Sequence, residues 1–158
     1  IEQHTEYKEI LCLNCILFVT YLSIFYTDFC YHFETETVKS WQDAEDHCTS
    51  EQGHLVSFHS EEELSFLTGQ HPTGISLWMG GHDAVNEGGW EWTDGSPFRY
   101  VRWAEGNPDD YFGEDCLSMY INDGYWNDDV CEYNSKWIGL KRNSVEGGMF
   151  KDVCSISA

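Results

Sequence analysis

Between Asp83 and Glu132 the chain carries thirteen Asp or Glu against only Arg99 and Arg102. Carboxylates at that density, interleaved with asparagine amides, are hard oxygen donors, and a cation such as calcium takes roughly six to eight of them. The competing reading is a solvated acidic surface. Net charge over the whole chain is −20, and a fold with that much like charge repels itself unless cations or wide spacing relieve it. The same charge makes nucleic acid a poor partner. Cys12 and Cys15 have a zinc-like spacing but lie in an apolar run with no second Cys or His pair behind them, so no zinc site is expected. His47, His54, His59 and His82 read as surface or satisfied core residues. There is no Ser-His-Asp ordering, phosphate loop or cofactor fingerprint.

A chain of 158 residues has room for one ordinary core. With 16% aromatic residues and seven tryptophans, it reads as a packed domain rather than a disordered acidic segment. Seven cysteines suggest disulfides and an oxidising, extracellular compartment. The expected organisation is an atypical extension over 1–20, a domain over 21–140 and an atypical tail over 141–158. Ile10 to Tyr26 is apolar enough for a signal or anchor segment, but Glu2, Glu6 and Glu9 before it carry the wrong charge. Tyr21 to Phe33 reads instead as a buried first strand, rich in aromatic and β-branched residues.

Ser40 before Trp41, Ala44 and Cys48 predicts a capped helix running to about Gln52, where Gly53 stops it. Ser60 and Glu63 form a capping-box pattern ahead of Leu64 and Leu67, predicting a second helix that ends near Gly69. From Leu77 the pattern changes to short aromatic runs separated by Gly, Asn, Asp and Pro, the mark of short strands and long loops. The class is therefore α+β. Trp90 and Trp92 alternate with Glu91 and face one side of a strand. Asn122-Asp-Gly124 before Tyr125-Trp126 predicts a hairpin turn.

The order of motifs resembles the C-type lectin domain. It runs through Trp41-Gln-Asp-Ala44, Cys48, Gly53-His-Leu-Val-Ser57, Trp78-Met-Gly-Gly-His-Asp83 and Gly89-Trp-Glu-Trp-Thr-Asp-Gly-Ser96. Trp103, Gly113-Glu-Asp-Cys116, Trp126-Asn-Asp128 and Cys131 complete it. Ser96-Pro-Phe-Arg-Tyr100 is most similar to the carbohydrate-recognition domains of mannose-receptor-type proteins. The resemblance implies two helices, short antiparallel sheets and a long calcium-binding loop, with a disulfide between Cys116 and Cys131. It also implies a bridge from Cys48 to a cysteine where this chain has Gly139, with Cys154 able to substitute only if the tail from Lys141 folds back, and a cysteine where the chain has Val19, so both ends depart from the pattern.

By the same resemblance, Asn107, Asp109, Glu114, Asn127 and Asp128 would hold a sugar-binding calcium ion, with Pro108 in a cis peptide. An accessory ion would take Asp83, Glu87, Asp110, Glu114 and Asp115. Members with Glu-Pro-Asn tend to take mannose-type sugars and those with Gln-Pro-Asp galactose-type ones. Asn107-Pro-Asp109 has the second order, amide before acid, with a side chain one methylene shorter. Tyr111 stands where such members carry a ring that stacks on the sugar. Sugar-binding residues are then Asn107, Asp109, Tyr111, Glu114, Asn127 and Asp128. The implied function is calcium-dependent binding of glycans on glycoproteins or microbial surfaces, with a protein-binding module as the alternative. No enzyme is expected, because Glu114 and Asp128 as calcium ligands stay ionised whereas a glycosidase acid needs a raised pKa.

Overall fold

A computed structural model describes residues 23–26, 29–68 and 74–142. Two antiparallel strands open it, β1 (Ser23–Tyr26) and β2 (Phe29–Lys39), with Tyr26 opposite Phe29. The single strand expected over Tyr21–Phe33 is thus a hairpin. Aromatic and β-branched residues run through both arms, so propensity marks strand without marking the reversal. The anchor reading and the tail over 141–158 fall almost wholly outside the described residues. Among the described residues no helix is long and apolar enough to cross a membrane.

Both helices form where their caps predict. Helix α1 (Trp41–Ser50) starts on Ser40, whose side chain accepts from the Asp43 amide at 3.2 Å. Helix α2 (Glu61–Thr68) starts on Ser60, whose hydroxyl accepts from the Glu63 amide at 3.1 Å. The return half of the capping box is shifted by one residue, since Glu63 accepts from the His59 amide. Its other oxygen accepts from the Tyr31 hydroxyl, which ties α2 to β2.

The remaining strands are β3 (His54–Leu55), β4 (Ser76–His82), β5 (Glu91–Trp92), β6 (Cys116–Tyr120), β7 (Trp126–Asp129) and β8 (Ser135–Arg142). The main path runs β1-β2-β8-β4-β6-β7, with β3 on β8 and β5 on β4. All pairs are antiparallel except β4 with β8. Gly80 lets β4 lie against the 55–56 segment, because a Cβ there would stand 2.7 Å from the Leu55 carbonyl oxygen. The hairpin at 122–124 closes as expected, with Gly124 at φ 72° and the Tyr120 amide donating to the Tyr125 carbonyl.

The core has two parts. The smaller packs α1 on the sheet through Trp41, Ala44, Cys48, Leu55, Trp78 and Trp137. Buried Cys48 packs in this cluster, and residue 139, where the resemblance implied its bridging cysteine, is a glycine paired with His32 and Leu55. The larger part centres on Trp126, fully buried, with Trp92, Phe98, Tyr100 and Trp103 meeting its ring edge-on at 5.6 to 6.1 Å. Such pairs add about 0.5–1.5 kcal/mol each beyond area burial. Four rings from β5 and the irregular stretch after it therefore converge on one strand residue.

The Cys116–Cys131 disulfide is present, joining the start of β6 to the segment after β7 across a separation of 15 residues. Replacing both cysteines by serine is expected to lower stability by about 3 kcal/mol. Urea unfolding checks this, and hydrogen exchange should quicken most in the long loop and β7.

Candidate functional site

The 93–115 loop connects β5 to β6 and is laid along β7 by backbone bonds. The Trp126 amide donates to the Arg102 carbonyl and the Ala104 amide to the Trp126 carbonyl, both at 2.8 Å. Its other flank is held to α2, where Glu61 takes Arg102 at 2.6 Å and the Tyr100 hydroxyl at 2.5 Å. Beyond this the Asn107–Pro108 peptide is cis, as expected.

Asp128 follows Trp126 and is fully buried. Its Oδ2 accepts the backbone amides of Asp109 at 2.8 Å and Asp110 at 2.7 Å, so one carboxylate oxygen gathers the loop just after the cis peptide. Its Oδ1 is buried and has no hydrogen-bond donor among the described residues. Oxygens of Asp109, Glu114 and Asp128 lie within 4.8 Å of one another. Asn107 and Asn127 complete the expected group, the Asn107 amide donating to Asn127 Oδ1 at 2.5 Å.

A second cluster brings Asp83, Glu87 and Asp115 together, again within 4.8 Å. Asp83 opens the turn after β4, where its amide donates to the Asp115 carbonyl and its Oδ2 accepts from Gly88 at 2.9 Å. Like Asp128, it has a buried Oδ1 without a donor among the described residues. The Glu114 carboxylate, expected at both sites, groups with Asp109 and Asp128. Asp110 caps its own turn, Oδ1 accepting from the Glu114 amide at 3.0 Å, while its charge acts on Asp83 and Glu87. Tyr111 and Phe112 stand beside the site, 64% and 84% exposed, with ring centroids 4.3 Å apart.

The electrostatics suit a cation. Burial first, then the charges of Asp128, Asp129 and Asp109, push the Glu114 carboxyl up to about 7. Burial and the charges of Asp115, Asp110 and Asp128 raise Asp83 against the pull of its Gly88 bond. Desolvation, followed by the charge of Asp83, raises Glu87. Crowded carboxylates with orphaned buried oxygens are a donor set that fits a hard dication. Asp129 escaped the sequence reading. It is half-buried, its carboxyl is raised by burial, and its charge acts on Glu114. One more acid in an acidic chain carries no signal until pairing sets it beside the site.

Residues 37–147 match the family model described as Lectin C-type domain. Asialoglycoprotein receptor 1 of Pongo abelii is 40% identical over 118 residues, 69% of this chain and 38% of that protein. The chain thus spans well under half the length of such receptors. Among solved structures, the mouse scavenger receptor C-type lectin carbohydrate-recognition domain superposes with a TM-score of 0.72 at 33% identity, covering 78% of this chain and 96% of that one. A calcium-independent type II antifreeze protein superposes at 0.70 with 30% identity, covering 76% and 91%.

The pH dependence follows from Glu114. Its folded pKa lies above its ordinary value, so between the ordinary carboxylate range and about 7 the folded chain holds a proton that the unfolded chain has lost. Fewer protons on the unfolded state mean that stability falls as pH rises through that window. In chelator the melting temperature is expected to drop from pH 5 to pH 8, with raised Asp83 and Glu87 adding in the same direction. An ion held by these carboxylates would bind their ionised form, so millimolar calcium would reverse the trend. Differential scanning calorimetry in the two buffers checks both signs.

Proposed function

The chain belongs to the C-type lectin domain family, and from that premise we propose that it binds carbohydrate in a calcium-dependent manner, with galactose-type sugars preferred over mannose-type. The observation that carries this is Asp128, with one oxygen holding the loop backbone and the other left without a donor beside Asp109 and Glu114. A buried polar oxygen without a partner costs about 1–3 kcal/mol, more when charged, and a calcium ion is the hard partner that relieves it.

Asn107, Asp109, Glu114, Asn127 and Asp128 would hold the sugar-binding ion, and Asp83, Glu87, Asp110 and Asp115 with Glu114 the accessory one. Calcium with open positions takes two vicinal sugar hydroxyls as ligands. The chain supplies the order of partners around them: carboxylates accept from those hydroxyls and amides donate. The lean to galactose rests on Asn107 preceding Asp109, with exposed Tyr111 available to the sugar's apolar face. Glycans on glycoproteins or microbial surfaces are the ligands we propose, and a relative named as an asialoglycoprotein receptor supports that class. The Cys116–Cys131 bridge supports an extracellular setting, as a secreted protein or receptor ectodomain.

The raised Glu114 carboxyl is also what a glycosidase acid requires. Two such clusters, each with an orphaned buried oxygen, ask for cations rather than for one proton. Sugar hydrolysis by purified protein, lost in Glu114→Gln and indifferent to calcium, would select the enzyme. A second reading is a calcium-stabilised protein-binding module, favoured by the exposed Tyr111–Phe112 pair. A pull-down that survives excess monosaccharide but fails in chelator would select that one.

Calorimetric titration with galactose and mannose is expected to show binding only with calcium, tighter for galactose, and absent in Glu114→Gln and Asp128→Asn. Equal, negligible glycan-array signal with calcium and with chelator would overturn the lectin reading. Asn107→Gln, which adds the missing methylene, should strengthen galactose binding by severalfold.

A further inference from the structure

Among the described residues Phe112 is the most exposed large hydrophobic side chain, and its backbone lies in the left-handed region at φ 65°. A bulky residue is an outlier there, because its Cβ crowds the neighbouring carbonyl. Neither Phe112 nor Tyr111 packs on either part of the core. Their turn is bonded from within instead. The Tyr111 amide donates to Asp109 Oδ1 at 3.3 Å, the Gly113 amide to the Asp110 carbonyl at 3.3 Å and the Glu114 amide to Asp110 Oδ1 at 3.0 Å. The turn runs from Asp109 to Glu114, two members of the cluster with Asp128, so its rings stand at the edge of that site. Holding an apolar ring in water on a strained backbone costs free energy in the free chain, and a ligand that covers the ring recovers part of it.

The rings of Tyr111 and Phe112 meet at an interplanar angle of 62°. One flat sugar face can therefore lie on only one of them. With Tyr111 assigned to the sugar on the ion, Phe112 is left to face a different group. Resting on the carbohydrate reading above, we propose that Phe112 is the binding surface for the sugar joined to the calcium-bound galactose, so that the site takes a terminal galactose together with its neighbour. A galactose held through two vicinal hydroxyls is linked to the rest of a glycan through its anomeric oxygen. The neighbour lies beyond that oxygen, and the apolar face of its ring stacks on Phe112.

The test is calorimetric titration in calcium with methyl β-galactoside, which has no second ring, and with lactose and phenyl β-galactoside, which carry a sugar and an aromatic ring there. It is run on the chain and on Phe112→Asn and Phe112→Trp, with thermal unfolding in chelator alongside. Asn tolerates the left-handed region and lacks the ring; Trp keeps a ring. The chain is expected to bind lactose about fivefold tighter than methyl β-galactoside. Phe112→Asn should lose that margin, leave methyl β-galactoside affinity unchanged and melt no lower than the chain, and Phe112→Trp should keep the margin. A margin for phenyl β-galactoside without one for lactose overturns the sugar as the occupant. Equal affinity of the chain for all three overturns the inference and leaves the ring to the protein-binding reading. Phe112→Asn weakening all three alike, or melting lower in chelator, overturns it in favour of a role in loop shape. A chain that binds no galactoside in calcium removes the galactose reading and this inference together.

Discussion

A single buried carboxylate organises the acidic end of this domain. Asp128 reaches the loop after the cis Asn107–Pro108 peptide with one oxygen and leaves the other beside Asp109 and Glu114. Two backbone amides give Oδ2 its hydrogen-bond partners in a fully buried position. Both amides go to Oδ2, which leaves Oδ1 without a donor among the described residues. Loop shape and the proposed cation site thus meet at one residue.

Asp128 acts from where it does because Trp126, two positions earlier on the same strand face, is the hub of the larger core. Trp92, Phe98, Tyr100 and Trp103 pack on its ring, and its backbone bonds to Arg102 and Ala104 hold the loop in register with β7. The loop has little regular structure of its own, so aromatic burial takes the place of ladder hydrogen bonds in holding it. The Cys116–Cys131 bridge and the Glu61 clamp on Arg102 and Tyr100 close the two flanks. The accessory cluster depends on the same frame, since the Asp83 amide bonds to Asp115, next to the bridged cysteine.

Charge and stability oppose each other across this end of the molecule. Burial raises Glu114, Asp83 and Asp129 because neutral carboxyls are cheaper to hold there than four or more neighbouring anions. Aromatic packing keeps the loop formed in spite of that repulsion. A cation bound there would convert the same repulsion into attraction.

Local rules were legible in the sequence wherever one residue decides a structure. Ser40 and Ser60 cap their helices because a hydroxyl satisfies an amide three residues on, and Gly124 turns the β6–β7 hairpin because its φ is positive. The motif order likewise carried the family, the Cys116–Cys131 bridge and the cis Pro108, along with the acids that gather at the loop. Other features needed the fold. Alternation and propensity could not divide 21–33 into two strands, since both arms carry the same residue types. Nor could composition separate Asp110, bonded to its own turn, from Asp109, or bring Asp129 forward from among twenty-eight acids. Which carboxylate oxygen is buried, bonded or left bare depends on strand pairing and on residues distant along the chain, and only tertiary structure brings those together.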